Sequence, residues 1–193
     1  MAALTPPDVD YAAIVLSGGR ARRLGGASKP DLVVGGEPLL VSALKAAAGA
    51  AATIVVGPPS AHHPPELTTR EDPPGGGPVA AIAAGLSLVG DAEWVLVLAC
   101  DTPRAAAAVP VLLAAANNAP DAVVGFADGH RQPLLALYRR AALASALAAM
   151  DVESASMRAL LDGLDVVEAE LPEGAAKDLD TWEDVEQARR EFS

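Results

Sequence analysis

The chain has 193 residues, a length suited to about one domain, and its 51% apolar and 20% charged residues exclude disorder of the whole chain. A formal net charge of −11 argues against a surface that wraps nucleic acid. The single Cys100 excludes an internal disulfide framework and a cysteine-rich zinc site.

The acid is unevenly placed, with 13 acidic and 4 basic side chains in residues 151–193 and a nearly neutral remainder. No apolar run approaches the roughly 20 residues that span a bilayer. Residues 1–10 lack the basic and apolar regions of an export signal. The expectation is a soluble cytoplasmic protein forming a single domain over 1–193, with 1–10 flexible.

In chain order, Tyr11–Leu16 is a continuous apolar run closed by Gly18 and Gly19, the pattern of a buried strand. Residues 38–50 are Ala/Leu-rich and predict a helix opening at Pro38. Thr53–Val56 predicts a strand stopped by Gly57, and 62–65 a surface loop. A second helix is predicted over 78–88 after three glycines. Trp94–Ala99 is the plainest strand. A helix over 105–117, a strand over 122–126, a turn at Asp128 and Gly129, and a returning strand over 134–138 follow. Helices over 139–150 and 156–161, a strand over 165–171, and a helix from Thr181 complete the pattern. Asp184 lies three residues after Thr181, as in a capping box. Alternating apolar strands and helices predict an α/β fold with a mostly parallel central sheet. Such sheets take ligands beyond the carboxyl ends of their strands.

The loop after Leu16 is the richest in chemistry. Arg20, Arg22, Arg23 and Lys29 fall within it, and so do Gly18, Gly19, Gly25 and Gly26. Bare backbone N–H groups and cations suit phosphate oxygens. Two familiar phosphate loops do not fit. Lys29 follows Ser28 rather than glycine, and Gly18 and Gly19 are adjacent.

Asp101, just beyond the strongest strand, has two readings. It is placed to hold Mg²⁺ together with substrate phosphates, or to cap a helix beginning near Ala105. Asp178 and Asp180 project alike in extended chain and are candidates to complete a metal site with Asp101. The competing reading is acid favoured at a helix N-terminus, which better suits Glu183 and Asp184. The glycine-rich turn 72–78 offers backbone against which a planar base can lie. Arg131 could meet a second anionic substrate. His62 and His63 lack a third ligand nearby, so zinc is not expected. Without a G-x-S-x-G elbow, and with Cys100 buried by its strand, nucleophilic catalysis is not expected either.

These pieces together resemble the molybdenum cofactor guanylyltransferases, the MobA-like branch of the nucleotidyltransferases. The matching residues are Leu16, Ser17, Gly18 and Gly19 with Arg22, Arg23, Leu24, Gly25, Gly26 and Lys29. Glu71 and Asp72 follow, with Gly77 and Pro78 opening a helix. Then come Cys100 to Pro103, the run from Gln132 to Tyr138, Ser156 to Arg158, and Asp178 to Thr181. They occur in family order across residues 11–192.

The resemblance implies a three-layer Rossmann-like nucleotidyltransferase fold. It also implies transfer of GMP from Mg-GTP to the terminal phosphate of molybdopterin, with pyrophosphate released. By carry-over, Leu16, Ser17, Gly18, Gly19, Arg20, Lys29, Asp72 and Asp101 meet the nucleotide. Lys29, Arg23 and Asp101 form the catalytic set. Asp101 holds Mg²⁺, with Asp178 or Asp180 as a candidate second ligand. Arg131, Gln132 and Arg158 face the acceptor, and molybdoenzymes or other cofactor-synthesis proteins are candidate partners. The sequence departs from the family at Ser28, where aspartate is usual, and at Trp182, where proline is usual. The Asp178/Asp180 pair looks like the cytidylyl relatives. The alternatives are a cytidylyl or other small-acceptor transferase and a non-catalytic nucleotide-binding module.

Overall fold

A computed structural model describes residues 9–18, 24–25 and 28–192 of the chain. β1 (Tyr11–Leu16) is buried along its whole length because it has neighbours on both edges and helices on both faces. This is why its sequence is apolar throughout instead of alternating. After it come a short hairpin of β2 (Val33–Val34) and β3 (Glu37–Pro38), then α1 (Leu39–Ala46) and β4 (Thr53–Val56). β5 (Thr68–Thr69), α2 (Pro78–Leu86), β6 (Trp94–Ala99) and α3 (Val109–Ala115) lead into β7 (Ala122–Ala127) and β8 (His130–Arg139). α4 (Arg140–Ala148), α5 (Met157–Asp162), β9 (Val166–Glu170) and α6 (Trp182–Glu191) complete the order.

The seven-stranded sheet runs β5-β4-β1-β6-β8-β7-β9, and of these seven strands β8 alone is antiparallel to its neighbours. β1 shows how the strand period builds three layers. Tyr11, Ala13 and Val15 enter one core, with Leu40 and Ala43 of α1 and Leu112 of α3. Ala12, Ile14 and Leu16 enter the other, with Ile82 of α2, Leu143 of α4 and Leu160 of α5. A third, smaller cluster joins Leu24, Leu32, Val34 and Leu39 to Leu179 and to Val185 of α6. α2 lies so close to the sheet that a Cβ on Gly85 would sit 2.8 Å from Ile14 and 2.9 Å from Val56.

The predicted parallel sheet and layer order hold, while several boundaries move. The helix expected over 38–50 is α1, with Pro38 as its N-cap and Ala47 as its C-cap. The chain then turns against the Tyr11 hydroxyl, which a Cβ on Gly49 would approach to 2.5 Å. The helix expected over 105–117 is α3 flanked by two 3-10 turns, 105–107 and 116–118. Pro110, in the first turn of α3, has no N–H with which to continue a helix from the preceding turn. β8 begins four residues earlier than expected, because Asp128 and Gly129 both take the positive φ of a tight hairpin turn. The β2–β3 hairpin and β5 were not anticipated, since two-residue strands carry no periodicity. No helix among the described residues is long and apolar enough to cross a membrane.

Candidate active site

β1, β4 and β6 end on the same side of the sheet, where a cavity of about 730 Å³ opens. Leu16, Gly18, Val56, Ala99, Cys100 and Asp101 line its floor. The first loop leaves β1 under tight control. The backbone N–H groups of Ser17 and Gly18 donate to the Val56 carbonyl at 2.9 and 3.2 Å. The Ser17 hydroxyl donates to the same oxygen at 3.3 Å. Ser17 is therefore buried as a brace, and Gly18 presents its backbone to the cavity. Gly19, Arg20 and Arg23, with Arg22 and Gly26, lie outside the described residues.

Lys29 opens a 3-10 turn, Lys29–Asp31, anchored by the buried Pro30. Its ammonium donates to Asp101 Oδ2 at 2.8 Å and to Asp180 Oδ1 at 2.6 Å. The side chains of Lys29 and Asp101 are only 15% and 20% exposed, so water screens this contact poorly. Burial alone would lower the Lys29 pKa, but the hydrogen bonds and charges of Asp101 and Asp180 outweigh it and raise the value.

The structure separates the two readings of Asp101. The 3-10 turn and α3 that follow it have no side-chain cap, so Asp101 is not a helix cap. Its carboxylate holds Lys29, and its carbonyl accepts the Leu179 N–H at 3.0 Å. That last bond ties the segment before α6 to the end of β6. Leu179 is buried between the two acids that flank it. Asp178 lines the cavity, and its pKa is raised, first by burial and then by the charges of Asp180 and Asp101. Asp180 turns to Lys29. The expected capping box forms: Thr181 Oγ1 accepts the Asp184 N–H at 3.2 Å, and Asp184 accepts the Thr181 N–H at 2.8 Å. The Thr181 hydroxyl also donates to Asp184 Oδ2 at 2.6 Å, and this bond first, then the Thr181 N–H, holds the Asp184 pKa down.

Among the described residues, no three His, Cys, Asp or Glu side chains gather into a metal cage. The donor set still suits Mg²⁺. Asp101 and Asp180 direct one hard carboxylate oxygen each toward a common positive centre, the Lys29 ammonium. Magnesium is held by one or two carboxylates plus substrate phosphates rather than by a full protein cage.

The other expected residues divide. Gln132 lines the cavity, with Pro133, Leu134 and Leu135 of β8. Arg131, its neighbour, is not in the lining and is ion-paired with Glu168 at 2.7 Å. Arg158 is exposed on α5, and the cavity wall there is Met157. Asp72 is exposed and outside the lining, which Glu71 joins instead. Glu71 accepts the Gly75 N–H at 2.9 Å and so shapes its own loop. Cys100 is buried, as expected, and burial pushes its thiol pKa up to about 12. Arg70 and Met157 were not anticipated as lining residues. Arg70 follows a strand too short to read, and Met157 stands one helical position from the polar residue that drew attention.

The model of the MobA-like NTP transferase domain matches residues 13–169. A probable molybdenum cofactor guanylyltransferase of Bacillus mycoides (strain KBAB4) is 33% identical over 90 residues, covering 46% of this chain. A Bacillus cereus (strain B4264) relative of the same name is 34% identical over 90 residues. Each match spans only 44% of the relative's length. The crystal structure of molybdopterin-guanine dinucleotide biosynthesis protein A from Archaeoglobus fulgidus has the same fold. Its TM-score is 0.72 at 22% identity, covering 93% of this chain and 97% of that one. The 2-C-methyl-D-erythritol 4-phosphate cytidylyltransferase of Thermus thermophilus shares the fold at TM-score 0.66 and 22% identity, covering 92% and 96%. The chain belongs to the MobA-like NTP transferase domain family.

Proposed function

We propose that the protein transfers GMP from Mg-GTP to the terminal phosphate of molybdopterin, releasing pyrophosphate. The observation that carries this reading is the Lys29 ammonium held between Asp101 and Asp180 at the carboxyl ends of β1 and β6. It is supported by membership of the MobA-like family and by the name of the curated relatives.

In this reading an oxygen of the acceptor phosphate attacks the α-phosphorus of GTP in line. A new P–O–P bridge forms, the bond to the β-phosphate oxygen breaks, and pyrophosphate leaves with the electron pair. Lys29 offsets charge on the phosphoryl oxygens. Asp101 and Asp180 would hold Mg²⁺, which supplies further charge neutralisation when bound. Leu16 and Gly18 bring backbone groups to the nucleotide, and Gln132 and Met157 form the wall on the acceptor side. No covalent enzyme intermediate is needed. The buried Cys100 thiol, with its pKa pushed up to about 12, is unsuited to forming one.

A cytidylyl transfer is the second reading, favoured by the Asp178/Asp180 pair. The two part on kcat/KM for GTP and CTP with molybdopterin as acceptor, followed by pyrophosphate release. The guanylyl reading expects GTP to be the better substrate. Equal values or a CTP preference would move the chain to the cytidylyl branch.

A further inference from the structure

The cavity wall beyond β5 holds a cation that the chemistry above does not use. Arg70 leaves the edge strand β5 and lines the cavity. Arg104, Arg131, Arg139 and Arg189 each pair with a glutamate. Arg70 makes no hydrogen bond or ion pair among the described residues. Its neighbour Glu71 does not neutralise it, because that carboxylate is turned along its own loop onto the Gly75 N–H at 2.9 Å. Gly75 has a φ of +89°, a conformation that favours glycine, so the bond fixes a loop whose next turn is bare backbone.

Position decides what Arg70 can meet. The sheet order β5-β4-β1 puts it two strand spacings, about 10 Å, to the side of β1. The phosphate chemistry of Lys29 and Asp101 lies on the far side of β1, over β6. A nucleotide with its phosphates there, extending toward β5, brings its base to Arg70, Pro74, Gly75 and Gly77. The two glycines expose flat backbone, and the guanidinium supplies a planar fork of donors.

We propose that Arg70 is a specificity-determining residue that reads the O6/N7 edge of guanine, an assignment that rests on the GTP reading above. Guanine sets two acceptors side by side on that edge, and an arginine fork matches both. Adenine replaces O6 with an amino group, which sets donor against donor. Cytosine lacks the imidazole ring and its N7. The fork therefore favours guanine over either rival by about tenfold, the order of one bidentate contact.

The test is calorimetric titration of GTP, 7-deaza-GTP and CTP, each with Mg²⁺, into the wild type, Arg70→Ala and Arg70→Lys. Circular dichroism controls for folding, and Arg70 is an exposed residue. Wild type should bind 7-deaza-GTP about tenfold more weakly than GTP. Arg70→Ala should bind the two alike, weakened most toward GTP and less toward 7-deaza-GTP, which keeps O6, with its CTP affinity unchanged. Arg70→Lys should resemble Arg70→Ala, since a point charge cannot fork. Equal losses for GTP and CTP in Arg70→Ala, restored by lysine, would make Arg70 a phosphate contact and overturn the proposal. So would a 7-deaza penalty that persists without Arg70. A wild type that prefers CTP fails the GTP reading itself and takes the proposal with it. A wild type that prefers GTP, with Arg70→Ala unchanged, fails the Arg70 assignment alone.

Discussion

The two sides of the cavity are built on opposite terms. Over β1 and β6 the ionic groups are already engaged with one another: Lys29 with Asp101 and Asp180, and the Asp101 carbonyl with the Leu179 N–H. Beside β5 the loop is braced internally through Glu71 and Gly75, while Arg70 stands uncommitted among the described residues. In the proposed reaction these groups exchange partners, Lys29 turning to phosphate and the two carboxylates to Mg²⁺, so the charges the reaction needs are gathered in one place before substrate arrives. A wall with an unengaged donor fork has its hydrogen-bonding capacity left for recognition. On the proposed reading, rate belongs to the centre and choice of base to the wall.

The most severe way to break that division is Lys29→Ala. It should lower kcat by about 10²–10³, the usual cost of one preorganised charge contact. The far-UV circular dichroism spectrum should not change. Wild-type turnover would remove Lys29 from the phosphates. Next in size is Gly85→Ala, on the wall side. The new methyl would press on Ile14 and Val56, both buried, and such overpacking costs about 1–3 kcal/mol. A loss of about 2–10 °C in Tm is expected by thermal denaturation, with α2 pushed away from the sheet. Thr181→Ala loosens the centre instead. Losing the cap should cost about 1 kcal/mol in urea unfolding and raise KM for Mg-nucleotide, because Asp180 precedes the cap.

The smallest effect is that of Asp178→Asn. The Asp178 pKa is raised in the folded protein, so its contribution is favourable below the unfolded value near 3.9 and is lost as pH rises through the folded value. At pH 7 its charge opposes folding. The substitution should raise Tm by about 1 °C at pH 7 and leave it unchanged at pH 3. The reverse pattern would mean that Asp178 is held by an attractive partner.

Much of this arrangement was legible in the residues. β1 and β6 could be read because strands buried on both faces are apolar throughout. Lys29 stood out as a cation in the glycine-rich loop after β1, Asp101 because it follows a strand end, and α6 because Thr181 and Asp184 cap it chemically. What could not be read depended on long-range geometry. That Asp101 and Asp180, 79 positions apart, meet on one ammonium follows from the Asp101–Leu179 backbone bond, which leaves no local pattern. Arg131 and Gln132 are adjacent in sequence. Strand alternation sends one to Glu168 and the other to the cavity, and sequence alone did not say which. Arg70 was missed because two hydrogen-bonded threonines do not announce a strand.

The central claim is transfer of a guanylyl group, and the fate of the α-phosphate tests it most directly. The protein is incubated with Mg²⁺, molybdopterin and GTP labelled at either the α- or the γ-phosphorus, and the pterin product is isolated. Guanylyl transfer puts α-label into the product in equal amount to the pyrophosphate formed, while all γ-label leaves as pyrophosphate. Product carrying γ-label, or GTP left intact in the presence of molybdopterin, would contradict it.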